Sequence, residues 1–400
     1  MKKRHIQLSR LLLWTHVASV ISFYIILFLR TAPEGKKGAK TKPTCDSSAS
    51  RVGRSVSIIV PARNEERNIQ CCVTSLLEQD YDDYEVIVVD DGSTDATVAI
   101  LDEIAQTHPH GDRLWVLHLR NLPEGWAGKT HALHAGVQEA TGDWLLFTDA
   151  DTWHAPNALR SSITRAINEG IDLFSLATNQ DLPDFWNRVM MPLAYIGISM
   201  QYPLKLVNDP SSPVAIANGQ YLLIRRAVYD AVGGYARPEL RDTLLDDRDL
   251  AQVVKRSGFR IRLEDGRDLV HVHMYEGLGE IWRGWRKNAY LGSRGGLPFM
   301  LLMLIGLPMM MIVPFLLPLL GRLIKGGITS RELNVAASFE LLPLLTYRIL
   351  VNGWFRVPWY YVFTHPLAVA LFEGIMAQST WRVLMRKGVD WRGRKYYVGK

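Results

Sequence analysis

Two aspartates, Asp149 and Asp151, directly follow a short apolar run at residues 144–147. Carboxylates two positions apart on an irregular turn can face the same cleft, and their combined negative charge is costly unless a cation binds there. All-oxygen ligation suits a hard divalent ion, Mg²⁺ or Mn²⁺, which proteins often hold with a few carboxylates and the phosphates of a substrate. The pair therefore suggests a nucleoside-diphosphate site. The competing interpretation is that Asp151 or Thr152 caps a helix running through residues 156–158.

The elements that would position these aspartates alternate between strand and helix from Ser55 onward. Short apolar runs predict strands, and helical spacing of apolar residues predicts the helices between them. This alternation, with strands that are apolar on both faces, predicts an α/β fold with a parallel, doubly wound sheet. The predicted strands are 56–62, 84–93, 114–119 and 143–147, and the predicted helices include 65–79 and 129–140.

Polar and charged side chains follow three of these strands, at residues 63–65, 90–91 and 149–151. In doubly wound sheets, ligands bind beyond the carboxyl ends of the strands, where these clusters would lie. No GxGxxG pattern follows the first strand and the sequence contains no Walker A pattern, so neither a dinucleotide-binding fold nor a P-loop is supported.

Apolar residues concentrate at both ends of the 400-residue chain. Residues 11–29 contain no charged side chain, and a run of that length spans a bilayer. Residues 298–321 form a second clear candidate span, whereas 333–351 and 357–378 are weaker candidates. Four ionisable residues in this region are either functional groups within the membrane or lie near the ends of the spans. They are Glu340, Arg348, His365 and Glu373.

Basic residues beside these apolar runs account for much of the net charge of +6, as expected next to anionic headgroups, and no nucleic-acid-binding motif is present. Residues 279–297 interleave aromatic and basic side chains, a pattern typical of a helix lying flat at the membrane surface. The predicted organisation is a transmembrane anchor (1–30), a linker (31–54), an α/β domain (55–278), an amphipathic interfacial helix (279–297), a transmembrane region of two or three spans (298–380) and a basic tail (381–400).

Five segments of the α/β domain, in chain order, resemble the large family of inverting glycosyltransferases with the GT-A fold, family two. They are VPARNEERNI (60–69), VVDDGSTDAT (88–97), FTDADT (147–152), NGQYLLIRRAVYDAVGGY (218–235) and LLDDRDLAQVVKRSG (244–258). Each motif alone is weak, but five in the family's order are specific. Two further segments, GWAGKTHAL (125–133) and HVHMYEGL (271–278), resemble the membrane-anchored glycosyltransferases associated with hopanoid and carotenoid pathways.

The resemblance implies a nucleotide-sugar donor site that uses Mg²⁺ or Mn²⁺. Asp91 would accept a hydrogen bond from a uracil ring, with Asp90 supporting its loop. Asp149 and Asp151 would form the metal-binding pair, with Asp151 as the more direct ligand. Lys129 would meet a donor phosphate, although a lysine at the start of a helix is also commonly solvated. The nucleoside pocket would be lined by Pro61, Ala62, Asn64 and Glu65.

Inverting transfer to a hydroxyl needs a general base, because the hydroxyl must lose its proton as it attacks the anomeric carbon. The resemblance implies that this base is Asp247. Asp246 stands where the family usually has glutamate, so Asp246 and Asp249, also on the acceptor side, remain alternatives. The competing interpretation is an acidic first turn that complements the dipole of a helix over 247–256. The acceptor wall would include Asn218, Gly219 and Gln220.

Arg283 and Trp285 lie in the predicted interfacial helix. They loosely match a segment that carries an arginine and a tryptophan near the donor diphosphate in related membrane synthases. Simple membrane anchoring is the competing interpretation of both residues.

The sequence as a whole predicts a membrane-bound, metal-dependent inverting glycosyltransferase. It would move a sugar from a nucleotide-diphosphate sugar, with a UDP-sugar expected, to a hydroxyl or carboxyl of a hopanoid, a carotenoid or another membrane lipid. The catalytic domain is expected in the cytoplasm, because nucleotide sugars are made there. The alternatives are a processive polysaccharide synthase, which usually needs more spans, and a non-catalytic nucleotide-sugar-binding membrane scaffold, which would not need the full set of acids.

Overall fold

The computed structural model describes residues 2–31, 55–291, 296–323, 328–385, 389–391 and 394–396. The predicted linker beyond Thr31 and part of the predicted basic tail lie outside these residues. The chain forms two compact units. The α/β unit comprises Glu34–Asp181 and Leu204–Met274, and the helical unit comprises Met1–Pro33, Leu182–Pro203 and Tyr275–Lys400.

Strands and helices are numbered in chain order. The strands are β1 (Val56–Ala62), β2 (Tyr84–Asp90), β3 (Leu114–His118), β4 (Trp144–Phe147), β5 (Thr152–His154), β6 (Leu173–Ala177), β7 (Asn179–Gln180), β8 (Leu222–Arg225), β9 (Ile261–Asp265), β10 (Val270–Val272), β11 (Val389–Trp391) and β12 (Arg394–Tyr396). The helices are α1 (Lys2–Thr31), α2 (Ile69–Leu77), α3 (Thr97–Thr107), α4 (Gly128–Glu139), α5 (Ala158–Glu169), α6 (Phe185–Gln201), α7 (Leu204–Asn208), α8 (Arg226–Ala231), α9 (Pro238–Arg241), α10 (Asp246–Arg256), α11 (Gly277–Leu291), α12 (Gly296–Met311), α13 (Val313–Leu323), α14 (Ser330–Trp354) and α15 (His365–Leu384).

The α/β unit is built on a seven-stranded sheet with the order β3-β2-β1-β4-β8-β6-β9. β1 pairs in parallel with β2 and β4, and β2 pairs in parallel with β3, so the predicted parallel, doubly wound arrangement is confirmed for these strands. β8 is antiparallel to both of its neighbours, β4 and β6, which gives a mixed sheet with a parallel-rich centre. A second, three-stranded sheet has the order β5-β10-β7.

The central strands are buried on both faces, as their continuous apolar sequences require. Because successive side chains point to opposite faces, Ile58 and Val60 of β1 join one core with α2, α3 and α5. The intervening Ile59 faces α4, where a Cβ added at Gly136 would lie 2.6 Å from Ile59 Cγ2. Glycine at this position lets α4 approach the sheet closely enough to set the position of its first turn.

In the helical unit, helices α1 and α14 lie side by side and run parallel. Arg10 Nε lies 2.8 Å from Glu332 Oε1, and His16 Nδ1 lies 2.7 Å from Glu340 Oε1. Near the other end of α1, the Thr31 hydroxyl lies 2.9 Å from the Tyr347 hydroxyl. From one contact to the next, the residue numbers increase along both helices, which shows that the two helices are parallel.

Two helices in the described residues are long and apolar enough to cross a membrane, Arg4–Thr31 and Ser330–Trp354. A third candidate is the pair Gly296–Met311 and Val313–Gly321, which is bent by 53° at its break. The predicted span at 357–378 instead comprises a 3-10 helix, Trp359–Thr364, followed by α15. α15 does not meet the same length and hydropathy requirements within the part of the chain that is described.

One boundary differs from the predicted organisation. The predicted α/β domain ran without interruption from 55 to 278, but Leu182–Pro203 belongs to the helical unit. The physical reason is that the apolar side of α6, including Val189, Met190 and Leu193, is buried in the core of the helical unit. The predicted interfacial helix is a helix over Gly277–Leu291, and residues 292–295 lie outside the described chain.

Candidate active site

The loop after β1 is tied to the loop after β2. Ala62 and Asp90 are register partners at the ends of these parallel strands. Asn64 has a left-handed backbone (φ 53°), which short polar residues tolerate better than most. Its N–H donates to Ser93 Oγ at 2.9 Å, and its Oδ1 accepts from the Thr94 N–H at 2.8 Å. Asn64 therefore fixes the relative position of the two loops, which carry the predicted nucleoside-pocket residues.

Asp90 and Asp91 are both buried at this edge of the sheet. Asp90 Oδ1 accepts from the Ser93 N–H at 2.9 Å, a contact within the loop that follows β2. Arg63 Nη1 donates to the Asp91 carbonyl oxygen at 2.8 Å and lies 3.4 Å from Asp91 Oδ2. This contact of Arg63 was not predicted from the sequence.

Glu65 forms hydrogen bonds near the starts of helices α2 and α3. Its Oε2 accepts from Asn68 Nδ2 at 3.2 Å, and its N–H donates to Thr97 Oγ1 at 2.8 Å. The helix predicted from residue 65 begins at Ile69, so residues 65–68 form part of the loop. Pro61 and Ala62 are the last two residues of β1.

The two aspartates after β4 do not cap a helix. α5 begins at Ala158, its N-cap residue is Asn157, and β5 lies between it and Asp151. The capping interpretation is therefore wrong. Asp149 Oδ1 lies 2.7 Å from Lys129 Nζ, and about a third of each side chain is exposed. The Asp151 carbonyl oxygen accepts from the His273 N–H at 3.2 Å, which joins this turn to the chain after β10.

Lys129 connects the strand-end aspartate to the acidic first turn of α10. It is the second residue of α4, and its Nζ lies 3.2 Å from Asp246 Oδ2. Burial alone would lower the pKa of Lys129, but the surrounding carboxylates outweigh burial and raise it above its ordinary value. Burial raises the pKa of Asp246 to about 6 despite the opposing effect of the Lys129 ammonium. The site therefore gathers several acids around one cation.

Asp247 is oriented by two backbone N–H groups. Its Oδ2 accepts from the Gly219 N–H at 2.9 Å, and its Oδ1 accepts from the Arg248 N–H at 2.7 Å. A Cβ added at Gly219 would lie 3.1 Å from Lys129 Nζ and 3.4 Å from Asp247 Oδ2. Gly219 thus lies against both groups, and a side chain there would occupy the space beside them.

The turn that carries Gly219 is held by buried polar contacts. Asn218 Nδ2 donates to the Leu176 carbonyl at 2.9 Å. Gln220 Oε1 accepts from Gln180 Nε2 at 3.1 Å and also from the Thr178 hydroxyl. Asn218 and Gln220, two of the predicted acceptor-wall residues, thus form hydrogen bonds within the protein through their amides. These contacts fix the position of the Gly219 N–H between them.

Asp249 is engaged differently from its neighbours. Its Oδ2 accepts from the Thr243 hydroxyl, and its Oδ1 accepts from Arg248 Nε at 2.7 Å. These local contacts stabilise the start of α10. Of the three candidate bases, Asp246 and Asp247 lie with Lys129 and Gly219, and Asp249 is occupied by local partners.

A divalent ion fits this arrangement when the substrate supplies some of the metal ligands. No group of three or more histidine, cysteine or acidic side chains that could hold a metal occurs among the described residues. Asp149 and Asp151 offer two hard carboxylates after β4, and a Mg²⁺-type ion commonly takes its other ligands from phosphates and water. These two aspartates are the residues that would hold it.

One residue that sequence reasoning missed, Arg241, helps to position Lys129. The Arg241 carbonyl accepts from the Ala127 N–H at 2.7 Å and from the Thr130 hydroxyl, which fixes both sides of Lys129. The Arg241 guanidinium also lies over the Trp126 ring, 5.3 Å from its centroid. Tyr235 is buried, and burial together with nearby acids raises its pKa. Arg241 stands in no motif whose spacing would have revealed it, whereas Tyr235 is the last residue of the 218–235 motif and was given no role there.

Arg283 and Trp285 belong to the helical unit, on α11. Arg283 Nη2 lies 3.8 Å from Glu280 Oε1, and the Trp285 ring packs edge-on against Phe372 with centroids 5.6 Å apart. Their suggested contact with the donor diphosphate stays a prediction.

Comparisons with known proteins define first the class of the fold. The structure is similar to that of the mannosyltransferase PcManGT from Pyrobaculum calidifontis, solved in complex with GDP-Man and Mn²⁺ (TM-score 0.53, 19% identity, covering 91% of this chain and 99% of that chain). The fold is thus that of the GT-A glycosyltransferases, as expected.

A known family matches part of the sequence. Residues 57–233 match the family described as Glycosyl transferase family 2, so the chain carries a domain of this family and the protein is a glycosyltransferase. It is 26% identical over 362 residues to the 4,4'-diaponeurosporenoate glycosyltransferase of Staphylococcus aureus strain MRSA252, covering 87% of this chain and 89% of that protein. The protein of the same name from strain USA300 is 25% identical over 359 residues with the same coverage.

Proposed function

We propose that this glycosyltransferase is a membrane-bound inverting enzyme that transfers sugar from a nucleotide-diphosphate sugar to a lipid-like acceptor. One observation carries the proposal: Lys129 contacts both Asp149 and Asp246, and Gly219 beside it holds the carboxylate of Asp247. This arrangement combines a cation for a phosphate with an oriented proton acceptor.

On the donor side, the loops after β1 and β2 bind the nucleoside, and the carboxylate of Asp91 accepts from the N–H of a uracil ring. Lys129 binds the diphosphate, because its ammonium already lies at the acidic edge where a divalent ion and a phosphate would meet. Bound at Asp149 and Asp151, Mg²⁺ or Mn²⁺ supplies positive charge that offsets the charge developing on the leaving diphosphate. The Mn²⁺ in the Pyrobaculum enzyme of similar fold supports this assignment.

On the acceptor side, Asp247 takes the proton of an attacking hydroxyl. The new bond forms between the acceptor oxygen and the anomeric carbon, and the bond to the diphosphate breaks with its electron pair leaving on the nucleotide. The Gly219 and Arg248 N–H groups orient the carboxylate for this step. A carboxylic acid acceptor would enter already ionised and would need no such base.

The acceptor is proposed to be a membrane lipid of the carotenoid or hopanoid type. The Staphylococcus aureus relatives are glycosyltransferases of 4,4'-diaponeurosporenoate, and the alignment covers most of both chains. The apolar helices of the helical unit would keep the enzyme in the membrane as a multi-pass protein, where such an acceptor dissolves. The catalytic unit is assigned to the cytoplasm, where nucleotide sugars are available.

The test is an assay of membranes that contain the protein, with a panel of radiolabelled nucleotide sugars and Mn²⁺, followed by extraction into organic solvent. A labelled, extractable product is expected, with the highest rate from a UDP-sugar. A labelled polymer that stays in the aqueous phase would instead indicate a polysaccharide synthase. Binding of UDP without transfer or hydrolysis of any donor would indicate a scaffold.

The matched variants are Asp247→Asn and the exposed control Asp230→Asn. With a hydroxyl acceptor, D247N should lower the transfer rate about 10²- to 10⁴-fold, the usual contribution of a general base. D230N should leave the rate unchanged. Full activity of D247N on a hydroxyl acceptor would contradict the assignment of the base.

A further inference from the structure

The helical unit contains a buried cation with unused hydrogen-bond donors. Arg348 of α14 has no exposed surface, and its Nη2 donates to the Val189 carbonyl at 3.0 Å. Its Nε and Nη1 have no hydrogen-bond partner among the described residues. A guanidinium stays charged in proteins, so this group keeps its charge inside an apolar core.

No carboxylate in the described parts of the chain forms an ion pair with Arg348. Glu340 is the nearest acid along α14, but eight residues of helix separate it from Arg348 by about 12 Å. One oxygen of Glu340 is already held by His16 at 2.7 Å. A buried charge without a counter-ion is strongly unfavourable, which indicates that the counter-ion of Arg348 lies outside the described residues.

Further buried polar groups lie near the guanidinium. Asn352 lies one turn along α14 on the same face, and neither its amide nitrogen nor its amide oxygen has a partner within the described chain. Tyr24 of α1 and His365 of α15 lie within electrostatic range of Arg348. The Tyr24 hydroxyl and both His365 ring nitrogens likewise lack partners among the described residues, and both side chains are at least 98% buried.

We propose that Arg348, Asn352, Tyr24 and His365 form a binding site for the monoanionic headgroup of a lipid, a carboxylate or a phosphodiester. One cation matches one negative charge, and the fork of the guanidinium suits a two-oxygen anion. Ordered water would satisfy the amide and the imidazole but would leave the charge of Arg348 uncompensated.

The apolar side chains around this site favour a lipid over a small soluble anion. Tyr24, Leu344 and Val369 belong to one apolar cluster in the core of this unit. α1 and α14, which carry Tyr24 and Arg348, are the two single helices within the described chain that are long and apolar enough to cross a membrane. An anion at this site would therefore carry an apolar chain. Such binding does not depend on sugar transfer, so it can fail or hold independently of the proposed function.

The test measures thermal unfolding of the full-length protein, purified in a nonionic detergent and depleted of lipid. The added amphiphiles are oleate, dioleoyl phosphatidylglycerol and oleyl alcohol, which differ in headgroup chemistry. We expect the Tm to rise with the concentration of oleate or phosphatidylglycerol, but not with oleyl alcohol. A response to oleate identifies a carboxylate site, as an acidic acceptor would require, and a response to phosphatidylglycerol identifies a phospholipid site.

The variants are Arg348→Gln, Asn352→Ala and the control Arg331→Gln, an exposed arginine on the same helix. R348Q should abolish the Tm shift, N352A should weaken the apparent affinity about 10-fold, as expected for loss of one hydrogen bond to a charged group, and R331Q should respond like the wild type. If R348Q does not fold, N352A and native mass spectrometry of co-purified lipid still decide the question. An equal response to oleyl alcohol, or an unchanged response in R348Q or N352A, would overturn the proposal.

Discussion

Each of the two units contains a basic side chain next to its polar site, and the charges around the two side chains differ. Lys129 of the α/β unit contacts the carboxylates of Asp149 and Asp246, with Asp247 close by. Arg348 of the helical unit donates to a backbone carbonyl and forms no ion pair with the described residues. Acidic side chains of the α/β unit compensate the charge of Lys129. No acidic side chain among the described residues compensates the charge of Arg348.

This difference indicates how each site meets its ligand. Around Lys129, basic and acidic side chains are already paired. Binding of a diphosphate and its metal ion therefore replaces ion pairs within the protein by ion pairs with the ligand. At Arg348, the counter-charge comes from outside the described residues. Removing one partner of a buried pair is destabilising, but removing an uncompensated charge is neutral or stabilising, so the two sites should respond to neutral substitutions in opposite directions.

The largest effect is expected for Lys129→Met. Without the ammonium, Asp149 and Asp246 face each other uncompensated, and the free energy of unfolding should fall by about 1–3 kcal/mol, below the value for a fully buried pair because the side chain is partly exposed. Thermal and denaturant unfolding measure this change, and transfer activity should fall with it. The exposed Lys205→Met serves as the control. Wild-type stability in K129M would show that the acids do not depend on this cation.

The opposite sign is expected for Arg348→Met in protein stripped of lipid. Replacing the uncompensated guanidinium with an apolar chain of similar length should leave the free energy of unfolding unchanged or raise it. The same unfolding measurements apply, with Arg331→Met as the control. A clear loss of stability would mean that Arg348 has a strong partner within the protein and would remove the contrast with Lys129.

A smaller effect, on activity, is expected for Gly219→Ala. The added methyl would lie 3.1 Å from Lys129 Nζ and 3.4 Å from Asp247 Oδ2, so one of these groups must shift. We expect transfer to slow about 10-fold, since small displacements of a reacting group can cost up to 10²-fold. The control is Gly197→Ala, where an added Cβ meets no atom within 4 Å. Equal rates for both variants would argue against a close fit around Gly219.

The last effect depends on pH and concerns a third basic side chain, His154, which is buried in the α/β unit and has no acidic partner among the described residues. Burial lowers its pKa to about 3, so the folded protein keeps it neutral where the unfolded chain, with a pKa of 6.5, takes up a proton. Stability should therefore decrease as the pH falls from 6.5 toward 3, by about 1.4 kcal/mol per pH unit from this group. His154→Gln should flatten that dependence. An unchanged slope in H154Q would show that His154 is not the group responsible.

Much of the α/β unit was predictable because its local patterns agree with its tertiary structure. Continuous apolar strands, each followed by polar residues, predicted the parallel centre of the sheet and the edge where Asp91 and Asp149 lie. β8 was not recognisable as antiparallel, because a short apolar run carries no information on strand direction. α6 was assigned to the wrong unit, since its apolar side fits either core until its neighbours are known.

The sequence by itself determined the order of the strands along the chain, the glycosyltransferase motifs and the presence of charged residues within apolar segments, because these depend on local composition and spacing. Only the tertiary structure decided which charges meet. Lys129 lies twenty residues before Asp149 and more than a hundred before Asp246, and Arg348 lies far along the chain from Tyr24. Packing of distant elements gives Lys129 its acids and leaves Arg348 without an acid among the described residues.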